Sequence, residues 1–168
     1  MILFDASTLI LLAKIGLLRD LVAQVDIGTT SQIKEECVRG ETTDAKLIKQ
    51  LIEEEKISAL EVERDEGRKA QNWEDGFNIG AEAYPLELAR NRSYLFATDD
   101  KAAIKACKVF GVEFTTAIDF LIRAYERGDL GRELAKEKLD QLERYGRYDS
   151  SIMEYAGKKL GGEQDEDD

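Results

Sequence analysis

The stretch Met1 to Gly16, MILFDASTLILLAKIG, constrains the chain more than any other. Met1-Ile2-Leu3-Phe4 has the composition of a short, fully buried strand. Asp5 ends the run, and Leu9 to Ile15 reads as an apolar helix that Gly16 breaks. A carboxylate at the C-terminal tip of a buried strand, followed at once by a helix, stands where open α/β sheets place their ligands. The same residues also suit a plainer role, with Asp5 or Ser7 capping the helix through its backbone N–H groups. This segment alone leaves both open.

The remaining chain alternates short strands with helices. Strand candidates are 25–27, 57–62, 94–97 and 112–115, and the Thr29-Thr30-Ser31 run offers N-caps for a helix through Arg39. Further helices are expected at 44–55, 79–90, 102–110 and 117–127, with Pro85 tolerable only in a first turn. Arg64 to Asn78 is polar with little periodicity, and reads as a loop or a short exposed helix anchored by Trp73 and Phe77. Strand and helix in alternation imply βαβ units around a parallel sheet. Residues 131–144 and 150–160 read as closing helices, with Tyr145, Tyr148 and Tyr155 available to anchor them on the domain or on a partner.

Composition excludes several chemistries. The 168 residues contain no histidine, which removes Ser-His-Asp and Cys-His catalysis and imidazole metal sites. Cys37 and Cys107 form no C-x-x-C pair and fall in predicted helices, as expected of buried, reduced thiols in a cytoplasmic protein. The first residues show no basic leader, and no apolar run approaches the roughly 20 residues of a membrane span. The net charge of −11 argues against nucleic-acid binding by bulk attraction. Five of those charges lie in the acidic run 161–168, expected to be disordered, which leaves −6 on the body.

Four more acids repeat the situation of Asp5. Glu36 borders the apolar face of its helix beside Ile33 and Cys37, although a solvated glutamate would read the same way. Glu82 lies among small residues near a helix start, where an acid also suits the helix dipole. Asp99 and Asp100 follow the strand YLFA, and two adjacent acids are more than one helix cap requires. Carboxylates converging on one sheet edge cannot all stay ionised without a cation. Oxygen-only donors select Mg²⁺ or Mn²⁺, which activates water and neutralises a phosphodiester.

These residues carry a family resemblance. Asp5-Ala6-Ser7 after an opening strand resembles the first signature of the PIN domain family, and Ile33-x-x-Glu36 is similar to its second acidic motif. Glu82-Ala83-x-x-Leu86-x-Leu88-Ala89 resembles the third motif, in the form whose acid is glutamate. Thr98-Asp99-Asp100 resembles the fourth, and Gly111 to Leu130 the close of the domain. The resemblance implies a three-layer α/β/α Rossmann-like sandwich over 1–130, with a parallel sheet of about five strands. A helical extension over 131–160 would then precede the acidic tail.

It further implies a divalent-metal-dependent endoribonuclease acting on single-stranded RNA. Many members are toxins of bacterial and archaeal toxin–antitoxin pairs, and many are homodimers, so an antitoxin partner and a homodimer are implied here. By the same resemblance Asp5, Glu36, Glu82 and Asp100 would hold Mg²⁺ or Mn²⁺, with Asp99 an alternative or outer ligand and Ser7 and Thr98 in support. Lys101, Lys105 and Lys108, spaced along one helix face beside Asp100, offer a track for RNA phosphates together with Arg90 and Arg92, or else a solvated face. The alternative is a non-cleaving protein of the same fold that binds RNA or protein and regulates. A receiver-like phosphoacceptor and an aspartate phosphatase fit poorly, the latter because Asp5-Ala6-Ser7 lacks a second aspartate.

Overall fold

In the computed structural model, which describes residues 1–161, the apolar opening becomes the middle strand of a five-stranded parallel sheet. The strands are β1 (Ile2–Phe4), β2 (Ile27–Thr30), β3 (Ile57–Leu60), β4 (Leu95–Ala97) and β5 (Phe114–Thr115), in the order β3-β2-β1-β4-β5. Strand order therefore reverses between β1 and β4, which pair directly with Ile2 opposite Leu95 and Phe4 opposite Ala97. Crevices at such reversals, outside the carboxyl ends of the strands, are where α/β sheets bind ligands.

Helices cover both faces, completing a three-layer α/β/α sandwich. The first crossovers supply α1 (Ala6–Lys14), α2 (Leu18–Leu21), α3 (Ser31–Cys37) and α4 (Thr43–Glu53), and α1 packs on α3 and α4. The later ones supply α5 (Arg64–Phe77), a 3-10 turn (Gly80–Glu82), α6 (Ala83–Arg92) and α7 (Lys101–Phe110). Leu3 and Phe96 of the sheet join Trp73, Leu86, Ala103 and Cys107 in one apolar cluster on that side. Successive strand residues point to opposite faces, so Leu3 and Phe4, both fully buried, serve different layers. Gly28 lies opposite Leu3 because a Cβ there would stand 3.0 Å from the Leu3 and Met1 side chains.

Compact packing divides the chain into Met1–Thr116 and a second unit from Ala117 on. The second unit consists of α8 (Ala117–Glu126), α9 (Arg132–Tyr145) and α10 (Ser150–Lys159), packed pairwise on one another. Arg132 donates to the Gly161 carbonyl, while Leu134, Tyr145, Ile152 and Tyr155 remain substantially exposed. Of the acidic run 161–168, expected to form a disordered tail, residues 162–168 lie outside the described residues. Among the described residues no helix is long and apolar enough to cross a membrane.

Three segments differ from the sequence reading. The second strand runs over Ile27–Thr30, not 25–27, and its last residue Thr30 then caps α3 by accepting from the Ile33 N–H. Pro85 falls in the first turn of α6, because the chain takes a 3-10 turn before the helix proper starts at Ala83. The largest difference is α5, a 14-residue helix where a loop or short helix was expected. A Glu63/Glu66 capping box starts it and left-handed Asn78 ends it, so its ends supply what periodicity did not. Trp73 does anchor it, stacked on Phe110 of α7 with ring centroids 4.3 Å apart, and Phe77 meets the same ring edge-on.

Glu66 also ties α5 to α6. It is buried, and accepts from the Glu63 N–H, the Asn91 amide and the Arg92 guanidinium. Burial alone would raise its carboxyl pKa, but these donors and the Arg92 charge outweigh it and hold the group below its ordinary value. A depressed folded-state pKa gives stability that is present above the unfolded pKa and lost as pH falls through the folded one. Glu66→Gln should therefore destabilise the protein by about 1–3 kcal/mol in urea unfolding at pH 7. The gap to wild type should narrow as pH drops below about 4, the ordinary glutamate range. An equal gap at pH 7 and pH 3 would show that the charge does not matter.

Candidate active site

The carboxyl ends of β1 and β4 are laced together by side-chain hydroxyls. Asp5 follows β1 in extended conformation (φ −82°, ψ 173°) and caps α1, accepting from the Thr8 N–H at 2.8 Å. Its backbone N–H extends the ladder to the Ala97 carbonyl, so the register of β1 on β4 fixes its height. The Thr98 hydroxyl donates to Asp5 Oδ2 at 2.5 Å, and the Ser7 hydroxyl lies 2.9 and 2.8 Å from the two carboxylate oxygens. Thr98 Oγ1 in turn accepts the Asp100 N–H at 3.2 Å, and Ser7 Oγ accepts the Asp99 N–H at 3.3 Å. Asp100 itself caps α7 through the Ala103 N–H.

The electrostatics follow from this geometry. Asp5 is fully buried, and burial pushes its carboxyl up to about 7, despite the Thr98, Thr8 and Ser7 hydrogen bonds that pull it down. The Asp99 charge adds to the rise. Among the described residues, the donors to Asp5 are all neutral. Glu82, half-buried in the 3-10 turn that leads into α6, is also raised, first by burial and then by the charges of Glu36, Asp100 and Glu74. Glu36 reaches this neighbourhood because α3 packs against that turn. It is exposed, whereas Ile33 and Cys37 on the same helix are buried. Burial, aided by the Glu36 and Asp5 charges, lifts the Cys37 thiol to about 12, so it stays protonated at neutral pH.

The structure thus joins Asp5, Ser7, Thr98, Asp99 and Asp100 by direct hydrogen bonds and brings Glu82 within electrostatic reach of Asp100 and Glu36. The donor set is all carboxylate and hydroxyl oxygen, carries several negative charges and suits a hard divalent cation in chemistry. Among the described residues, however, no three acidic or thiol side chains stand together as a ready-made metal-binding group. Lys101, Lys105 and Lys108 are exposed on α7. Arg90 and Arg92 are engaged elsewhere: Arg92 pairs with Glu66, and Arg90 lies over the Trp73 ring and near Glu87.

One participant escaped the sequence reading. Thr8, fully buried, gives its N–H to Asp5 and its hydroxyl to Asp99 Oδ2 at 2.7 Å, contacting both acids. Its signal was its position three residues after the capping aspartate, where a helix cap directs an N–H at the carboxylate. Its reach to Asp99, 91 residues on, requires the β1–β4 pairing.

No curated protein matches the chain. A family model described as a PIN domain matches residues 1–159, a span of nearly the whole length within which all five acids fall. PIN domains are generally nucleases, and as nucleases they generally use divalent metals. With acids at the ends of β1 and β4 in a five-stranded parallel sheet, and that match along its length, the chain belongs to the PIN domain family.

Proposed function

We propose that the protein is a divalent-metal-dependent endoribonuclease that cleaves single-stranded RNA, acting as the toxin of a toxin–antitoxin pair. The observation that carries this reading is the hydroxyl-laced carboxylate cluster around buried Asp5 at the strand-order reversal, where no described residue gives Asp5 a cationic donor. On this reading Asp5, Glu36, Glu82 and Asp100 hold Mg²⁺ or Mn²⁺, and Asp99 stands behind them. A divalent ion there supplies water activation and charge neutralisation on the phosphodiester.

The chain's own residues do the positioning. Thr98 and Ser7 hold the Asp5 carboxylate at the sheet edge, and the Thr98 hydroxyl links it to the backbone of Asp100. Lys101, Lys105 and Lys108 run along α7 away from that edge, spaced to follow an RNA backbone. An antitoxin partner and a homodimer belong to the same proposal, with the exposed Tyr145, Ile152 and Tyr155 of the second unit as apolar material for such contacts. A second reading is a PIN-fold regulator that binds RNA or protein without cutting. It draws on the spacing of the acids, of which no three among the described residues form a metal-binding group.

Cleavage of mixed single-stranded RNA by the purified chain, with Mg²⁺, Mn²⁺ or EDTA, separates the readings. Asp5→Asn preserves shape and helix capping but removes charge. It should lower metal-dependent cutting by at least about 100-fold, the upper end of the cost of losing even a group behind a metal ligand. Equal cutting by both proteins would mark contamination, and RNA bound but uncut with Mn²⁺ present would favour the regulator. The lysine track has its own test, run in the Asp5→Asn background so that the RNA stays intact. Lys105→Ala and Lys108→Ala should each flatten the slope of log affinity against log salt by about 0.7 per lost phosphate contact. An unchanged slope would place the RNA elsewhere.

A further inference from the structure

The Thr8 hydroxyl is placed unusually for a helix threonine. In a helix that hydroxyl commonly turns back to a carbonyl three or four residues earlier. Here it donates instead to Asp99 Oδ2 at 2.7 Å, across to the loop after β4, while the Thr8 N–H holds Asp5 Oδ1 at 2.8 Å. Thr8 is fully buried, so water has no access to replace either donation. Both of its bonds end on carboxylates, and those carboxylates belong to neighbouring strand ends. A β-branched side chain has few rotamers to choose from in a helix, which makes the bridge stiff.

We propose that Thr8 is a positioning residue for the metal site, acting through Asp99. Its hydroxyl sets the direction of the Asp99 carboxylate relative to Asp5, so the acid behind the metal-holding carboxylates is already oriented when a divalent ion arrives. Groups that orient metal ligands in this way typically cost 10–100-fold in metal affinity when removed. The inference rests on the metal-dependent reading above and adds to it a residue outside the four acidic motifs. Thr8 is not itself assigned contact with metal or RNA.

The test compares wild type, Thr8→Val, Thr8→Ser, Asp99→Asn and the Thr8→Val/Asp99→Asn double variant by calorimetric titration with Mn²⁺. Urea unfolding in EDTA runs alongside, to confirm folding and to read the Thr8–Asp99 coupling without metal. Thr8→Val keeps the side-chain shape and the N–H to Asp5 while losing the hydroxyl, and should weaken Mn²⁺ binding about 10-fold or more. Thr8→Ser, which restores the hydroxyl, should recover most of that loss. The double variant should bind no more weakly than Asp99→Asn alone, because the hydroxyl acts only through that carboxylate. The two sites should also couple in the EDTA unfolding cycle. Wild-type affinity in a folded Thr8→Val, full additivity in the double variant, or a Thr8→Ser no better than Thr8→Val would each overturn the proposal. A wild type that binds no Mn²⁺ would overturn the metal reading itself, and with it the role given to Thr8.

Discussion

The hydrogen bond from the Thr98 hydroxyl to Asp5 joins two strand ends that lie more than ninety residues apart in sequence. The Asp5 N–H to the Ala97 carbonyl, the Thr8 hydroxyl to Asp99 and the Asp99 N–H to Ser7 tie the same two ends beside it. The Thr98–Asp5 bond forms only because β1 and β4 are direct neighbours with Phe4 opposite Ala97, which brings the following residues of each strand side by side. That adjacency in turn requires the chain to lay three strands on one side of the reversal and then cross over to lay two on the other. A parallel sheet with helical crossovers achieves this with short connections.

The same geometry creates an electrostatic problem. A buried carboxylate is costly unless it is neutralised, hydrogen-bonded or paired with a cation. Asp5 has ample hydrogen bonds, from Thr98, Ser7 and the Thr8 N–H, yet burial still lifts it to about 7. Glu82 is lifted in the same direction, first by burial and then by charges that include Glu36 and Asp100. Contrast Glu66, also buried though less completely than Asp5, where Arg92 and two further donors pull the carboxyl below its ordinary value. One acid is satisfied from within the protein and serves to hold α5 on α6. Among the described residues the donors to Asp5 are all neutral, which is the arrangement expected where an external cation completes the site.

Much of this was legible in the amino-acid sequence, and the reasons are local. Met1 to Phe4 read as a buried strand, of which Ile2–Phe4 form β1 while Met1 is exposed; Asp5 ended it, and YLFA followed by Thr98-Asp99-Asp100 repeated the pattern with comparable clarity. Gly111, directly after the helix expected over 102–110, closes α7 as a left-handed cap. The helix α5 was less legible, because most of its surface is polar and only Glu66, Ala70 and Trp73 are buried. Its capping box and its left-handed Asn78 were the clues. The second strand shifted because Thr29 and Thr30 serve in β2, where Thr29 donates to the Phe4 carbonyl, before Thr30 turns to cap α3. Thr8 was invisible as a site residue for a deeper reason. Its partner Asp99 is reached through the sheet, and no local pattern encodes a contact that depends on strand order.

The central claim is that this carboxylate edge takes a divalent ion. Its most direct test is anomalous diffraction from crystals grown with Mn²⁺. The account predicts an anomalous peak between the carboxyl ends of β1 and β4, within about 2.5 Å of an Asp5 or Asp100 oxygen, in the range of carboxylate–metal contacts. Bound Mn²⁺ only at other surface acids, or none at a concentration that supports RNA cleavage, would contradict it.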